Sequence, residues 1–327
     1  MRLLPRKGED DMKYAARRIA MLAVTMVIVS LLAFVAFDMI SGDAATAMLA
    51  TEATPEKIAA LREELGLNRP LPVRYVEWLL GFVTGNLGIS YSYSLPVWEL
   101  IAPKIAVTLW LSLLSFVLIV AVSIPLGMRA ARISGGALAG LYTTLNQLGM
   151  AIPPFFTGIV FSWLFGITLK WFTPGDFPGL TENFWGAMRH MFFAAAAIAI
   201  PRIAMTVRML RSTIMSEMNK DYVRTAISRG NDRSGVLRRH VLKNALTPVV
   251  TLLAQTMAEI IAGSIVVEQV FGIAGLGRML VASISNRDYP VVQAIVVILA
   301  LWVVLAGTVA DLINQRIDPR LRLGGGE

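Results

Sequence analysis

Few ionisable side chains fall within the long apolar runs of this 327-residue chain, among them Asp38, Arg202, Glu259, Glu268 and Asp311. An ionised group at the centre of a hydrocarbon slab costs about 2.5–3.5 kcal/mol on insertion scales, so it needs a partner or a polar path. Asp38, Glu268 and Asp311 lie near the ends of their runs, where that cost largely vanishes. Glu259 lies mid-run. It either lines a polar cavity, where its charge attracts a cationic group, or serves as the structural partner of Arg202; these two residues are the candidate cavity pair. The two histidines, His190 and His240, are far apart in sequence and there is no cysteine, so no shared metal site or disulfide is expected. His190 reads as an interfacial side chain and His240 as part of a polar surface. The run Gly272 to Gly277 is glycine-rich but lacks the lysine of a phosphate-cradling loop, and that loop occurs nowhere else in the chain. No Ser-His-Asp or paired-carboxylate arrangement can be argued, so no catalytic residue is assigned.

The elements that position these residues are apolar spans. Hydrophobic residues make up 56% of the chain and charged residues 16%, a mixture that suits a bilayer better than two soluble domains. Six runs are long enough to cross about 30 Å of hydrocarbon: 19–40, 105–127, 141–169, 190–209, 247–268 and 290–314. The fold class is therefore all-α and polytopic. Arg17 and Arg18 precede the first run as they would a secretory signal, but its length and the lack of a clean small-residue cleavage pattern predict a retained anchor. The 190–209 run is interrupted by Pro201 and Arg202.

Charge sets the orientation. Residues 1–20, 128–140, 208–246 and 315–327 carry 20 of the 30 Lys and Arg, whereas 41–104, 170–190 and 269–289 carry 9. The positive-inside bias then predicts that both termini are cytoplasmic. The net charge of +8 would suggest nucleic acid in a soluble protein, but here the basic residues sit on connections between spans, so no nucleic-acid partner is expected.

The long external segment 41–104 contains a capped helix from Pro55 to Gly66, with Thr54 before the first helical position and Ile58, Leu61 and Leu65 on one face. Between the fourth and fifth spans, Tyr222, Val223, Ala226 and Ile227 recur at helical spacing before a stop at Gly230. That pattern predicts a short amphipathic helix within a basic, cytoplasmic segment.

The string Arg224-Thr225-Ala226-Ile227-Ser228-Arg229-Gly230, followed by Leu237-Arg238-Arg239-His240 and Lys243-Asn244-Ala245-Leu246-Thr247-Pro248, resembles the cytoplasmic coupling loop of ABC importer permeases. The family pattern is Glu-Ala-Ala, three residues, then Gly. This chain keeps Ala226 and Gly230 but has Arg224 and Thr225 in place of Glu-Ala, as does the dipeptide, oligopeptide and nickel permease branch. Three further stretches look like the same branch. The first runs from Gly42-Asp43 through Leu65-Gly66-Leu67-Asn68-Arg69-Pro70-Leu71 to Gly85-Asn86-Leu87-Gly88-Ile89-Ser90. The second comprises Glu268, Val270-Phe271, Gly275-Leu276-Gly277-Arg278 and Asn286 to Gln293, and the third is Asp311-Leu312 with Asp318-Pro319-Arg320.

The resemblance, to the B-type subunit of that branch, implies the six-helix type I importer permease fold. Its parts would be a cytoplasmic segment 1–18, a first span 19–40, an external cap 41–104, a core 105–314 with a coupling loop 210–246, and a cytoplasmic tail 315–327. It implies an ATPase-coupling surface made of Asp221, Tyr222, Arg224, Thr225, Ala226, Gly230, Arg238 and His240. It also implies a heterodimer with a second, homologous permease, two ATPase subunits that bind ATP and Mg, an external substrate-binding protein, and a bacterial inner-membrane location. This chain would bind no cofactor itself. Peptides are the expected cargo, moved by alternating access, with nickel or a metal chelate as the alternative. The sixteen methionines read as packing residues and not as a soft-metal path. A membrane sensor or scaffold is the reading from another class, but no cytoplasmic segment is long enough for a signalling domain. A self-sufficient secondary transporter would carry internal repeats that are not discernible here.

Overall fold

The computed structural model describes residues 7–41, 49, 54–64, 66–133 and 135–317. Gly42, Asp43, Leu65, Asp318, Pro319 and Arg320 lie outside the described residues, as do the first six positions and the 318–327 tail. In chain order the helices are α1 (Lys7–Ser41), α2 (Pro55–Glu64), α3 (Leu71–Thr84), α4 (Val97–Ala130), α5 (Gly136–Ala151) and α6 (Pro154–Phe161), continued by a π-helical turn Ser162–Thr168. They are followed by α7 (Phe184–Met218), α8 (Asp221–Ser228), α9 (Arg233–Val236), a π-helical turn Leu237–Val241, α10 (Leu242–Phe271), α11 (Leu276–Ser285) and α12 (Tyr289–Ile317). The fold is all-α, and extended pairing among the described residues is limited to one isolated bridge, Ile89 with Pro96.

Five helices are long and apolar enough to span a bilayer, and a sixth span is present if a pair bent by 95° is taken as one. That pair, α5 and α6, corrects the expectation of a continuous 141–169 helix. Pro153 and Pro154 lack the N–H groups that would bond back into α5, and Pro153 takes an extended conformation (φ −66°, ψ 144°), so the helix ends and restarts with Pro154 in its first turn. Pro201 does not have this effect: α7 runs unbroken from Phe184 to Met218 around it. The second span also starts earlier than hydropathy suggests, at Val97, because Val97 and Ile101 lie one turn apart and are both fully buried.

By internal packing the chain forms two units, 1–106 with 278–305, and 107–277 with 306–327. In the first, α3 docks on α1. Tyr75 Oη lies 2.9 Å from Ser30 Oγ and donates to the Val27 carbonyl at 3.1 Å, the Phe34 and Tyr75 rings meet edge to face, and Arg74 pairs with Asp38 at 2.6 Å. Asp38 therefore has its counter-charge. On α2, Thr54 caps the Lys57 N–H at 3.4 Å, as the sequence predicts, and Ile58 and Leu61 are the least exposed of residues 55–63.

In the second unit the core lies around α7 and α10, with Met191, Ala194, Ile198, Leu210, Ile214, Val249, Ile260, Val267 and Phe271 buried. Lipid tails are as apolar as leucine, so helices in a membrane associate chiefly through close packing, which small residues permit. Gly149 and Ala204 bring α5 and α7 together, and a Cβ on Gly149 would lie 3.2 Å from that of Ala204. Gly158 likewise faces the ring of Phe271, at 3.2 Å.

Candidate functional site

The segment joining α7 to α10 is built onto the ends of those helices by an apolar cluster. Val223 on α8, Val236 on α9, and Leu237 and Val241 in the π turn are buried with Ile214 and Ala245. Polar bonds fix the rest. Tyr222 donates to Glu217 at 2.8 Å and accepts from Asn244 at 3.4 Å, while Thr213 donates to the Ala245 carbonyl at 3.0 Å. Partial burial pushes the Tyr222 phenol above its usual range, and the bond to Glu217 adds to this. The Glu217 carboxylate beside Lys220 likewise holds that ammonium above its ordinary value. Gly230 ends the helix in the left-handed region, φ +84°, with nothing near its missing Cβ, and Asn231 seals the last turn by donating to the Ala226 carbonyl at 3.0 Å.

The expected surface residues divide accordingly. Val223, at 1% exposure, anchors α8, whereas Asp221, Arg224, Thr225 and Gly230 are exposed, and Ile227 is an apolar side chain left 42% open. Tyr222 and Ala226 are half-buried and hold the helix in place. Arg238 and His240 are exposed on the π turn, and no hydrogen bond or ion pair joins them to α8 among the described residues. The short helix thus presents a polar face with one apolar side chain, on a base that α7 and α10 hold fixed.

Arg202 on α7 and Glu259 on α10 form an ion pair. Of the two roles left open for Glu259, pairing with Arg202 is realised. The carboxylate side chain is still 51% exposed and the guanidinium 33%, so the pair is neutralised without being enclosed.

Two residues depart from expectation. Glu268 lies within one turn of the end of α10 at Phe271, as expected, but it is completely buried there and not solvated. It accepts from Thr108 Oγ1 at 2.8 Å, and Thr108 in turn accepts the Leu276 N–H at 2.8 Å. Gly275 and Gly277 press on this carboxylate. A Cβ on Gly275 would lie 2.5 Å from it, and one on Gly277 would lie 2.5 Å from the Ile265 Cα, so the glycines serve close approach as well as the turn. His190 is likewise buried within the protein. Its Nε2–H donates to the Phe271 carbonyl at 2.9 Å, and its ring lies 4.7 Å from that of Phe172. The sequence signal for both was present, Glu268 next to the Gly275-Leu276-Gly277 run and His190 among aromatics, but run-end position was the wrong guide to burial.

In the first unit Asp288, fully buried, receives the Ser90 hydroxyl and the backbone N–H groups of Tyr91 at 3.0 Å and Ser92 at 3.3 Å. Two of the stretches singled out from sequence, Gly85–Ser90 and Asn286–Gln293, are thereby tied together.

Residues 123–323 match the family described as "Binding-protein-dependent transport system inner membrane component", and residues 11–114 match its N-terminal counterpart. The chain is 32% identical over 309 residues to a probable peptide ABC transporter permease protein y4tP of Sinorhizobium fredii, covering 94% of this chain and 99% of that one. It is 34% identical over 311 residues to the oligopeptide transport system permease protein AppB of Bacillus subtilis, covering 94% and 98%. It is 32% identical over 337 residues to the dipeptide transport system permease protein DppB of Escherichia coli, covering 95% and 99%. With near-complete coverage on both sides and five or six spanning helices, the chain belongs to the binding-protein-dependent ABC transport permeases, as a multi-pass inner-membrane component.

Proposed function

We propose that this chain is the permease subunit of an ATP-driven importer for di- or oligopeptides, and that α8 is the helix through which separate ATPase subunits drive it. The observation that carries the coupling role is the build of α8. Val223 and the Tyr222–Glu217 bond lock it to α7, while Arg224, Thr225 and Ile227 remain open to a partner. A lever needs a rigid attachment on one side and a free docking face on the other. The names of the three relatives support the peptide cargo.

In this reading both termini and the 210–246 loop are cytoplasmic, 41–104 is the external cap, and 105–314 is the translocating core. A second, homologous permease completes a heterodimer. Two ATPase subunits bind ATP and Mg, and an external binding protein delivers substrate. ATP closes the ATPases, α8 moves with them, and its tie to α7 and α10 carries the movement into the spans, which alternate between inward-facing and outward-facing states. No catalytic residue of this chain takes part. Arg202 and Glu259 line the path as a neutralised pair.

The test is uptake by proteoliposomes holding this chain with its co-encoded permease and ATPases. Accumulation of a labelled peptide that requires both ATP and the binding protein is the expected result. Accumulation that persists without ATPase subunits, or with no peptide but with a nickel chelate, would replace this reading.

A further inference from the structure

Helices α5 and α7 flank a half-open cavity of about 250 Å3 whose lining includes the polar side chains of Tyr142, Asn146 and Gln147 from α5 and of Arg208, Arg211 and Ser212 from α7. Two buried atoms of its wall, Tyr142 Oη and Arg211 Nε, have no hydrogen-bond partner among the described residues. A buried donor left unmade costs about 1–3 kcal/mol, so an acceptor beside these two atoms, from water or from a ligand, is favoured. Arg211 is otherwise held in place: one terminal nitrogen donates to the Ile133 carbonyl at 3.4 Å, and the guanidinium carbon lies 5.3 Å from the centre of the Tyr142 ring.

The charge is one-sided. Arg208 and Arg211 stand three residues apart on one face of α7, where like charges repel. None of the residues lining the cavity is acidic, and neither arginine forms an ion pair among the described residues. Two guanidinium forks, the Tyr142 and Ser212 hydroxyls and the Asn146 and Gln147 amides make a donor set suited to a tetrahedral oxyanion, whose oxygens accept several charge-assisted bonds at once. The cavity also lies at a telling depth. Arg208 and Arg211 belong to the last three turns of α7, at about 1.5 Å per residue from an end that emerges from the membrane, which is where headgroup phosphates meet a spanning helix.

We propose that this cavity binds a phosphate group, supplied by the headgroup of an anionic phospholipid. The same chemistry would accept free phosphate, and the test separates the two sources. Binding does not depend on the transport reading; it requires only that α7 spans the membrane.

The experiment is native mass spectrometry of the full-length chain in detergent. It is titrated in turn with phosphatidylglycerol, with diacylglycerol of the same acyl chains, and with inorganic phosphate. Phosphatidylglycerol adducts should persist where diacylglycerol adducts do not. Arg208→Gln, which alters an exposed side chain, should weaken the phosphatidylglycerol adduct at least fivefold, and Tyr142→Phe should weaken it less. Arg239→Gln, on the π turn, should leave it unchanged. Displacement of the lipid by millimolar inorganic phosphate would support a site for the phosphate group alone. Failure of phosphate to displace it would support the lipid as ligand. Equal retention of diacylglycerol and phosphatidylglycerol would overturn the proposal. So would an undiminished adduct in an Arg208→Gln protein whose thermal unfolding matches the parent.

Discussion

Thr108 joins α4 to the turn after α10 by donating to the buried Glu268 carboxylate and accepting the Leu276 backbone N–H, both at 2.8 Å. Glu268→Ala would remove that acceptor from a site with no access to water and leave a void beside Gly275 and Gly277. A loss of about 1–3 kcal/mol is expected, read as a lower unfolding temperature of the chain in detergent. Glu268→Gln keeps an acceptor oxygen and should lose less. Equal unfolding temperatures for the parent and Glu268→Ala would mean that this network does not hold the turn.

The outline of the fold was legible in the sequence because a membrane imposes a strong length rule: all six runs reappear as spanning helices or, for one, as a bent pair. Short-range signals carried through where the physics is local, as at Thr54, Gly230 and the helix Asp221–Ser228. What failed were inferences from position along a run. Glu268 and His190 look peripheral in one dimension, and their burial comes from Thr108 and Phe271, 160 and 81 residues away. The Pro153–Pro154 pair was readable as a break, but hydropathy alone runs straight through it. The α5–α7 cavity had no sequence signal, since Tyr142 and Arg211 are brought together only by helix packing.

The Arg202–Glu259 pair gives a reciprocal expectation. Either single neutralisation strands a charge in a spanning segment, at a cost bounded by about 3 kcal/mol and reduced by the partial exposure of both side chains. Arg202→Gln and Glu259→Gln should therefore lower the yield of folded chain in membranes to a similar degree, and exchanging the two residues should restore it. If Glu259→Gln alone abolished uptake at full yield while Arg202→Gln did not, the carboxylate would be acting on substrate and not on its partner.

Gly230 has open space around it and a φ of +84°, so its requirement is conformational and not steric. Gly230→Val places a β-branched residue in the left-handed region, at a cost of about 1–2 kcal/mol, and should misdirect the end of α8. Gly230→Asn, which tolerates that region, should stay close to the parent. The expected readout is loss of substrate-stimulated ATP hydrolysis in the Val variant with membrane insertion intact. Equal activity in the two variants would remove the helix stop from the mechanism.

The central claim, that α8 is where ATPase subunits grip this chain, can be tested directly because the chain has no cysteine of its own. A single Ile227→Cys substitution puts the only thiol of the chain on the open face of α8. In membranes containing the assembled transporter, a short bifunctional thiol reagent should link it to an ATPase subunit carrying one engineered surface cysteine, with a yield that changes when ATP is added. Lys170→Cys, between the π turn after α6 and α7, should give no such product. An Ile227→Cys chain that inserts and supports uptake, yet never links to an ATPase subunit in any nucleotide state or at any position of the engineered cysteine, would contradict the coupling role of α8.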